Sequence, residues 1–410
     1  VGVHREVTEV HAMVALCQKA IDGAAAFESV HQLTGFAVGR RTQDFERRVA
    51  ALLGKRYGVM VNSGSSANLL ALELLKLPPG SEVITPLLTF ATTVAPIVQK
   101  GLVPVFVDVE PGTYIVNLRQ VQHHITRRTR ALMIPSLLGN APDYPRLWAL
   151  AQRHHLWLIE DSCDTLGAKM NGKPTGHFSH ITTTSFYGSH IINGAGGGGA
   201  IGVNDPQWRR RLVVLRGWGR QSSLFGEKQA SERIANRFRS KLGGVPYDAK
   251  FTFSEIGYNF LPLEISAAFG LAQLRKLPRF AVARRRHFRR LALFFRRYQQ
   301  WFILPQQTPA TRTTWLAFPL TIRPGAPFTR LQLVSHLERH NIQTRPVFSG
   351  NILKQPGFRK IPHRLALPRL PQTELVMRNG LLVGCHHGLS AAQLAHLEQT
   401  FAGFLQRFER

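Results

Sequence analysis

The stretch SFYGSHIINGAGGGGA, residues 185–200, decides how the rest of the chain reads. Ahead of it, Ile181 to Tyr187 is an apolar, β-rich run that delivers the chain to Gly188-Ser189-His190. From Gly194 to Gly199 five of six residues are glycine, and Ala200 to Val203 resumes an apolar strand. Glycine at that density lets the backbone take positive φ and approach a ligand closely, at an entropic cost. The segment also fits G-x-G-x-x-G, which in a dinucleotide site follows a strand and opens a helix. Here a strand-like run follows instead, so a glycine-rich hairpin around His190 is expected.

A chain of 410 residues is long enough for two packed domains and a sizeable core. Its hydrophobic content of 44% is that of an ordinary globular protein. No apolar run reaches the ~20 residues of a membrane span, and no secretory signal is visible. Cys17, Cys163 and Cys385 form no CxxC pair, so no cysteine-based zinc site or disulfide framework is expected. That usage suits a reducing compartment, and a cytoplasmic location is expected. The adjacent His pairs at 123–124, 154–155 and 386–387 do not share an element face and are expected as surface or partly buried residues.

The net charge is +28, from 52 Lys plus Arg against 24 Asp plus Glu, which attracts polyanions. The densest run, Arg275 to Arg297, carries apolar residues at helical spacing, so its arginines are expected mostly on one solvated helix face. No zinc-finger spacing, RNA-recognition signature or basic zipper accompanies it, and nucleic acid is not favoured as a partner.

Strand-like runs alternate with amphipathic helices through the first two-thirds. Gly58–Val61, Glu82–Thr85, Val103–Val109, Ala131–Pro135 and Leu156–Glu160 read as strands, separated by helices at Ser65–Leu77, Ala91–Lys100 and Pro145–His155. This predicts an α/β protein with a mostly parallel central sheet covered on both faces. Beyond residue 275 a long basic helix precedes a strand over Trp315–Ile322 and helices over Thr329–His340 and Ala391–Phe408. A large domain, 1–275, with an N-terminal helical arm, and a smaller C-terminal α+β domain, 276–410, are expected.

Four sites accompany the glycine-rich stretch. Asn62 to Asn68 sits where a strand turns into a helix, and amides at such an N-terminus with the Ser65 and Ser66 hydroxyls suit a phosphate; a plain serine cap is the simpler role. Asp161 ends a buried strand, where parallel sheets bind ligands, and its carboxylate could pair with a protonated ring nitrogen or cap a helix. Phe90 offers a flat face for stacking, or core packing. Asn259, in GYNFLP, is a candidate donor at the opening of a helical segment.

Taken in order, NSGSSANL, TFATT, VPVFVDV, WLIEDSCDTLGA, TTSFYGSH and GYNFLPLEISAAFGLAQL resemble the sugar aminotransferase family of fold-type I pyridoxal-phosphate enzymes, over nearly the whole chain. The resemblance implies an aspartate-aminotransferase-like fold. It implies that Gly64, Ser65, Ser66 and Ser185 hold the cofactor phosphate, that Phe90 stacks on the pyridine ring, and that Asp161 pairs with its nitrogen. Asp164 would neighbour the ring hydroxyl. Asn259 would reach the neighbouring subunit's cofactor, implying a homodimer with shared active sites. In the aminotransferases the residue five beyond the SFY serine is the lysine that condenses with the cofactor aldehyde. Here it is His190, and no lysine occurs between Lys173 and Lys228. Imidazole cannot make that linkage but can carry a proton near neutral pH.

The change resembles the branch of 3-dehydratases acting on nucleotide-linked 4-keto-6-deoxy sugars with pyridoxamine 5'-phosphate. Some relatives in that branch hold an iron–sulfur cluster after a GWGR-like motif. Gly217-Trp218-Gly219-Arg220 is present, but residues 221–248 contain no cysteine, so no cluster is expected. An amino donor such as glutamate would then restore the cofactor. The Glu-Gly-Gly ending of many relatives is replaced by GAGGGG. Arg220, Arg345 and Asn351 are candidate contacts to the nucleotide sugar, and no membrane partner is expected. Two rivals stay open: a nucleotide-sugar aminotransferase with an unusual base, and a non-catalytic basic dimer that binds RNA or a protein partner.

Overall fold

The computed structural model describes residues 38–225 and 233–409. The expected N-terminal arm and Cys17 lie outside the described residues. The chain folds as two compact units, one ending at Lys76 and resuming over Ile181–Leu277, the other comprising Leu77–His180 and Pro278–Arg410. By packing, residues 77–180 thus group with the C-terminal residues rather than with the rest of 1–275.

In chain order the first unit contributes β1 (Tyr57–Val61). The second contributes β2 (Glu82–Pro86), β3 (Val103–Val107), β4 (Thr129–Pro135), β5 (Trp157–Asp161) and two short strands, β6 (Lys169–Met170) and β7 (Lys173–Pro174). The first unit resumes with β8 (Ile181–Ser185), β9 (Gly199–Val203), β10 (Ser240–Leu242) and β11 (Val245–Tyr247). The remaining strands are β12 (Phe302–Ile303), β13 (Thr311–Arg312), β14 (Phe318–Ile322), β15 (Thr344–Arg345), β16 (Arg364–Leu365) and β17 (Gly380–Val383).

Within the first unit β9 lies between β1 and β8, antiparallel to both. The strand pair β8–β9 is the expected glycine-rich hairpin, its ends registered at Ser185 and Gly199. Every residue of β8 is buried, as a β-branched run covered on both faces should be. Helix Gly64–Leu75 packs on β8 and β9, and Thr183 Oγ1 donates to Asn68 Oδ1 at 2.6 Å to fix that contact. Helix Arg40–Leu52 lies on β1 with Phe45 and Val49 fully buried, and the Phe45 ring meets Phe186 edge-on at 4.8 Å.

Strand β1 ends the sheet order, so one of its sides needs other partners. Met60 N–H donates to Glu46 Oε1 at 2.8 Å, and Arg216 Nη1 donates to Met60 O at 2.5 Å. The two side chains also bond each other at 2.8 Å. Both are buried, so this ion pair serves the strand in place of a neighbouring backbone. Two residues on, Asn62 N–H donates to Phe260 O at 3.1 Å.

The second unit holds a parallel sheet in the order β5-β4-β2-β3-β16 and a separate antiparallel sheet β12-β14-β17-β15. Strand β16 was not among the expected strands. Just past β3, the Asp108 carboxylate accepts N–H bonds from Gln372 and Thr373, capping helix Pro371–Asn379. Around β14 an aromatic core gathers Phe295, Phe302, Trp315, Phe318 and Phe401. The basic run is part of one helix, Glu264–Phe295. Arg284 departs from the expected solvated face: it is buried, and its guanidinium donates to Trp315 O and Leu316 O at 3.2 and 3.0 Å. The expected strand at Trp315 begins only at Phe318, and GYNFLP precedes the helix start at Glu264 rather than opening it.

Removing one member of a buried pair leaves the other charged and unmatched, at a cost of about 3–5 kcal/mol. Arg216→Met is therefore expected to lower stability by about that amount in urea unfolding. An unchanged midpoint would show that β1 does not depend on the pair.

Candidate active site

In the first unit, β1 feeds the helix Gly64–Leu75 through Asn62 and Ser63. Ser63 is the N-cap, its Oγ accepting from Ser66 N–H at 3.1 Å. The Ser66 hydroxyl donates to Asn62 Oδ1 at 2.6 Å, so Ser66 is engaged in shaping the turn. Ser65 is exposed at the first turn, and amides there have no intrahelical acceptor. Its backbone and hydroxyl are the open donors of this helix end, where the dipole favours an anion.

Ser185, at the end of β8, is buried, and its Oγ accepts from Tyr187 N–H at 3.2 Å. Its register partner is Gly199, while Gly198 bridges Ser63. A Cβ on Gly199 would lie 2.3 Å from Ser63 O and 2.6 Å from Gly64 N. Glycine is thus required there for β9 to abut the first turn of the helix, and Ser185 is thereby held beside that turn. His190 lies in the connection between β8 and β9. Its N–H donates to Tyr187 O at 3.0 Å, and its half-buried ring stands edge-on to Tyr187 with centroids 6.1 Å apart.

Two motifs some forty residues apart in sequence, GWGR and SEIGYN, meet in the same unit. Gly217 bridges Asn259, Arg220 bridges Phe253, and Trp218 N–H donates to Tyr258 O at 2.8 Å. Gly219, at φ 81°, leaves 1.8 Å between a hypothetical Cβ and Glu255 O. Asn259 is exposed, and the Arg220 guanidinium lies 4.3 Å from the Trp218 ring centre.

In the second unit Asp161 ends β5 and is buried. Its Oδ2 accepts from Thr93 Oγ1 at 2.9 Å and its Oδ1 from Cys163 N–H at 3.2 Å. Thr93 lies one turn into helix Ala91–Gln99, whose N-cap is Phe90. Phe90 is 54% exposed, so it is not a core residue and its ring is open to contact. Asp164 is buried and accepts from Leu138 N–H at 3.0 Å. Burial, with the charge of Asp161 adding to it, pushes the Asp164 carboxyl up to about 7 despite that bond. Burial and then Asp161 also raise the Cys163 thiol well above its usual range.

Arg345 is exposed in β15. The Asn351 amide donates to Glu374 Oε1 at 2.6 Å and accepts from Leu353 N–H at 2.9 Å, so it is engaged in local structure. Thr93 was missed in the sequence, although TFATT places it three residues after Phe90, on the same helical turn. Leu138, at φ 59°, gives no such signal. No cluster of three or more His, Cys, Asp or Glu suited to a metal occurs among the described residues.

The profile of the DegT/DnrJ/EryC1/StrS aminotransferase family matches residues 19–401. A dTDP-4-dehydro-2,6-dideoxy-D-glucose 3-dehydratase of Saccharopolyspora spinosa is 38% identical over 396 residues, which cover 94% of this chain and 84% of that protein. A GDP-perosamine synthase of Caulobacter vibrioides is 30% identical over 362 residues, 87% of this chain and 88% of that one. Among solved structures, the E. coli GDP-4-keto-6-deoxy-D-mannose-3-dehydratase with bound hydrated PLP is 28% identical, with a TM-score of 0.79 over 95% of this chain and 96% of that one. The α/β architecture is that of fold-type I pyridoxal-phosphate enzymes, as the sequence resemblance implied. With a match running from residue 19 to 401, the chain belongs to the DegT/DnrJ/EryC1/StrS aminotransferase family.

Proposed function

We propose that the protein is a pyridoxamine/pyridoxal 5'-phosphate-dependent 3-dehydratase acting on a nucleotide-diphosphate 4-keto-6-deoxy-hexose, with His190 as its base. Such a reaction serves deoxysugar assembly for lipopolysaccharide or another glycoconjugate. One observation carries the conclusion: the family's condensing lysine is replaced by His190, in a stretch that offers no other lysine.

The residues fit such a cofactor in kind. A helix N-terminus with Ser65 open to solvent suits its phosphate. Asp161 suits a protonated ring nitrogen, and the exposed Phe90 ring suits a flat heterocycle. When bound, the amine form supplies an amino group for the sugar's 4-keto carbon and a ring that accepts electrons. Ser65 and Ser185 hold the phosphate, while Ser66 and Gly64 shape the turn that presents it. Thr93 fixes one oxygen of Asp161, orienting the carboxylate that keeps the ring nitrogen protonated. Asp164 faces the ring hydroxyl with a carboxyl that can hold its proton near neutral pH. His190 would take a proton from the carbon that bears the cofactor's amine and return it to the departing 3-hydroxyl, which leaves as water with the electron pair of the broken C3–O bond. Asn259 reaches the phosphate held by a second subunit, so the working unit is a homodimer. Residues 1–275 supply the cofactor-binding share, and Arg220, Arg345 and Asn351 stand on the nucleotide-sugar side. An amino donor such as glutamate, rather than an iron–sulfur reductase, restores the amine.

The 30% identity to a GDP-perosamine synthase favours a second reading, an aminotransferase with an unusual base. The products separate the two: a 3-deoxy-4-keto sugar from dehydration, a 4-amino sugar from transamination. Incubation with 4-keto-6-deoxy nucleotide sugars and glutamate is expected to give the first, and an amino sugar as the main product would favour the second. His190→Asn is expected to lose at least about a hundredfold in turnover while retaining cofactor-linked absorbance; full activity in that variant removes His190 as the base. Protein purified without air is expected to contain no iron.

Asp164 adds a dependence on pH. Its folded-state pKa lies above the ordinary 3.8, so the stability it contributes is present below that value and is lost as pH rises through about 7. Asp164→Asn is expected to gain stability relative to the parent as pH is raised across that window, by at most about 4 kcal/mol. Parallel stability curves for the two proteins would show that the carboxyl ionises without cost.

A further inference from the structure

Between Glu264 and Glu338 the chain contains no aspartate or glutamate. The long helix opens this acid-free stretch, and within the second unit its burial is one-sided. Arg284, His287, Leu291 and Phe295 face inward and are buried. Arg279, Val282, Arg286, Arg289, Leu293 and Arg297 recur at intervals of three and four, which places them along a single opposite face. Residue 279 to residue 293 spans about 21 Å at helical rise, and Arg297 lies in the 3-10 turn that follows the helix.

This face differs from an ordinary solvated one in two respects. Its charge is uncompensated: among the described residues Arg290, at the margin of the face, pairs with Glu398 at 2.7 Å, whereas Arg279, Arg286, Arg289 and Arg297 have no carboxylate partner. Like charges are also crowded beside it. Burial, then Arg312 and Arg289, press Arg285 below its usual range. In addition, two large aliphatic side chains stand among the arginines, Val282 at 59% and Leu293 at 65% exposure. A nucleic-acid backbone would satisfy the guanidinium groups and leave these aliphatics facing phosphate. A bilayer surface satisfies both, because arginine stems lie along the apolar boundary while their heads stay at the phosphates.

Against the sequence expectation of no membrane partner, we propose that this helix face is a docking surface for an anionic phospholipid membrane, on which the protein sits peripherally. No helix among the described residues is long and apolar enough to cross a membrane. Lipid headgroups supply the negative charge that the segment lacks, and Val282 and Leu293 enter the boundary between headgroups and chains. The proposal is independent of the chemistry of the active site.

Vesicle sedimentation tests it with the full chain. The protein is expected to sediment with vesicles containing phosphatidylglycerol and to stay in solution with phosphatidylcholine alone. Arg279→Glu/Arg286→Glu/Arg289→Glu is expected to weaken binding at least about tenfold, since each basic residue near an anionic surface contributes roughly fivefold. The overall net charge of +28 is controlled by Arg119→Glu/Arg127→Glu/Arg153→Glu, the same charge change at exposed positions elsewhere in the unit, which is expected to lose far less. Val282→Ser/Leu293→Ser keeps the charge and is expected to weaken binding severalfold. Circular dichroism checks each fold; if the helix-face triple variant does not fold, the serine pair decides. Equal losses in the two triple variants, unchanged binding by the serine pair, or tighter binding to duplex RNA than to vesicles at equal salt would each overturn the proposal.

Discussion

The Glu46–Arg216 pair at Met60 is the constraint on which the first unit depends. An edge strand presents donors and acceptors that something must satisfy. Here one carboxylate takes the N–H and one guanidinium supplies the carbonyl, and each neutralises the other. A neighbouring strand would fix a whole edge; the pair fixes one residue, and Phe260 fixes Asn62 two positions on. Those points precede Ser63, so the position of the helix cap follows from them. Gly198 and Gly199 then meet a turn whose place is already set.

In the second unit the same logic works through carboxylates of differing surroundings. Asp108 accepts backbone N–H groups and caps a helix, a structural use. Asp161 accepts a hydroxyl and an amide. Asp164 accepts from Leu138 N–H, and burial, with the charge of Asp161 adding to it, raises its affinity for a proton. The chain spaces Asp161 and Asp164 three apart around Cys163, so two acids of one short segment occupy unlike environments.

Much of this was legible in the sequence because strands and helices alternate with different hydrophobic periods. The strands from Gly58 to Glu160 and the hairpin at Ser185–Gly199 were each foreseen within a few residues of their ends. What escaped had no local signal. Strand β16 is two residues long and owes its existence to β3, not to its own composition. Arg284 sits in a run of arginines, and its burial follows from carbonyls at Trp315 and Leu316 that lie far along the chain. Asn351 was a candidate contact to the nucleotide sugar, and its engagement by Glu374 and Leu353 had no local signal either. Within the candidate site, Ser66 was read as a phosphate donor, but its hydroxyl is turned toward Asn62. Such commitments are set by tertiary neighbours, which periodicity does not report.

The connection from Phe186 to Gly198 begins and ends on residues whose flanks, Ser185 and Gly199, are registered across one strand spacing. Both anchors are held by backbone ladders and by a glycine too confined to be replaced, and none of that involves the side chain at position 190. Within the connection Ile191 and Ile192 are buried and a Cβ on Gly194 would lie 2.2 Å from Gly197 O, whereas position 190 is only half-buried, so the exchange is local to that one position. Descent with modification could exchange amine for imidazole there in a single codon series without rebuilding the frame, and a protein engineer inherits the same freedom.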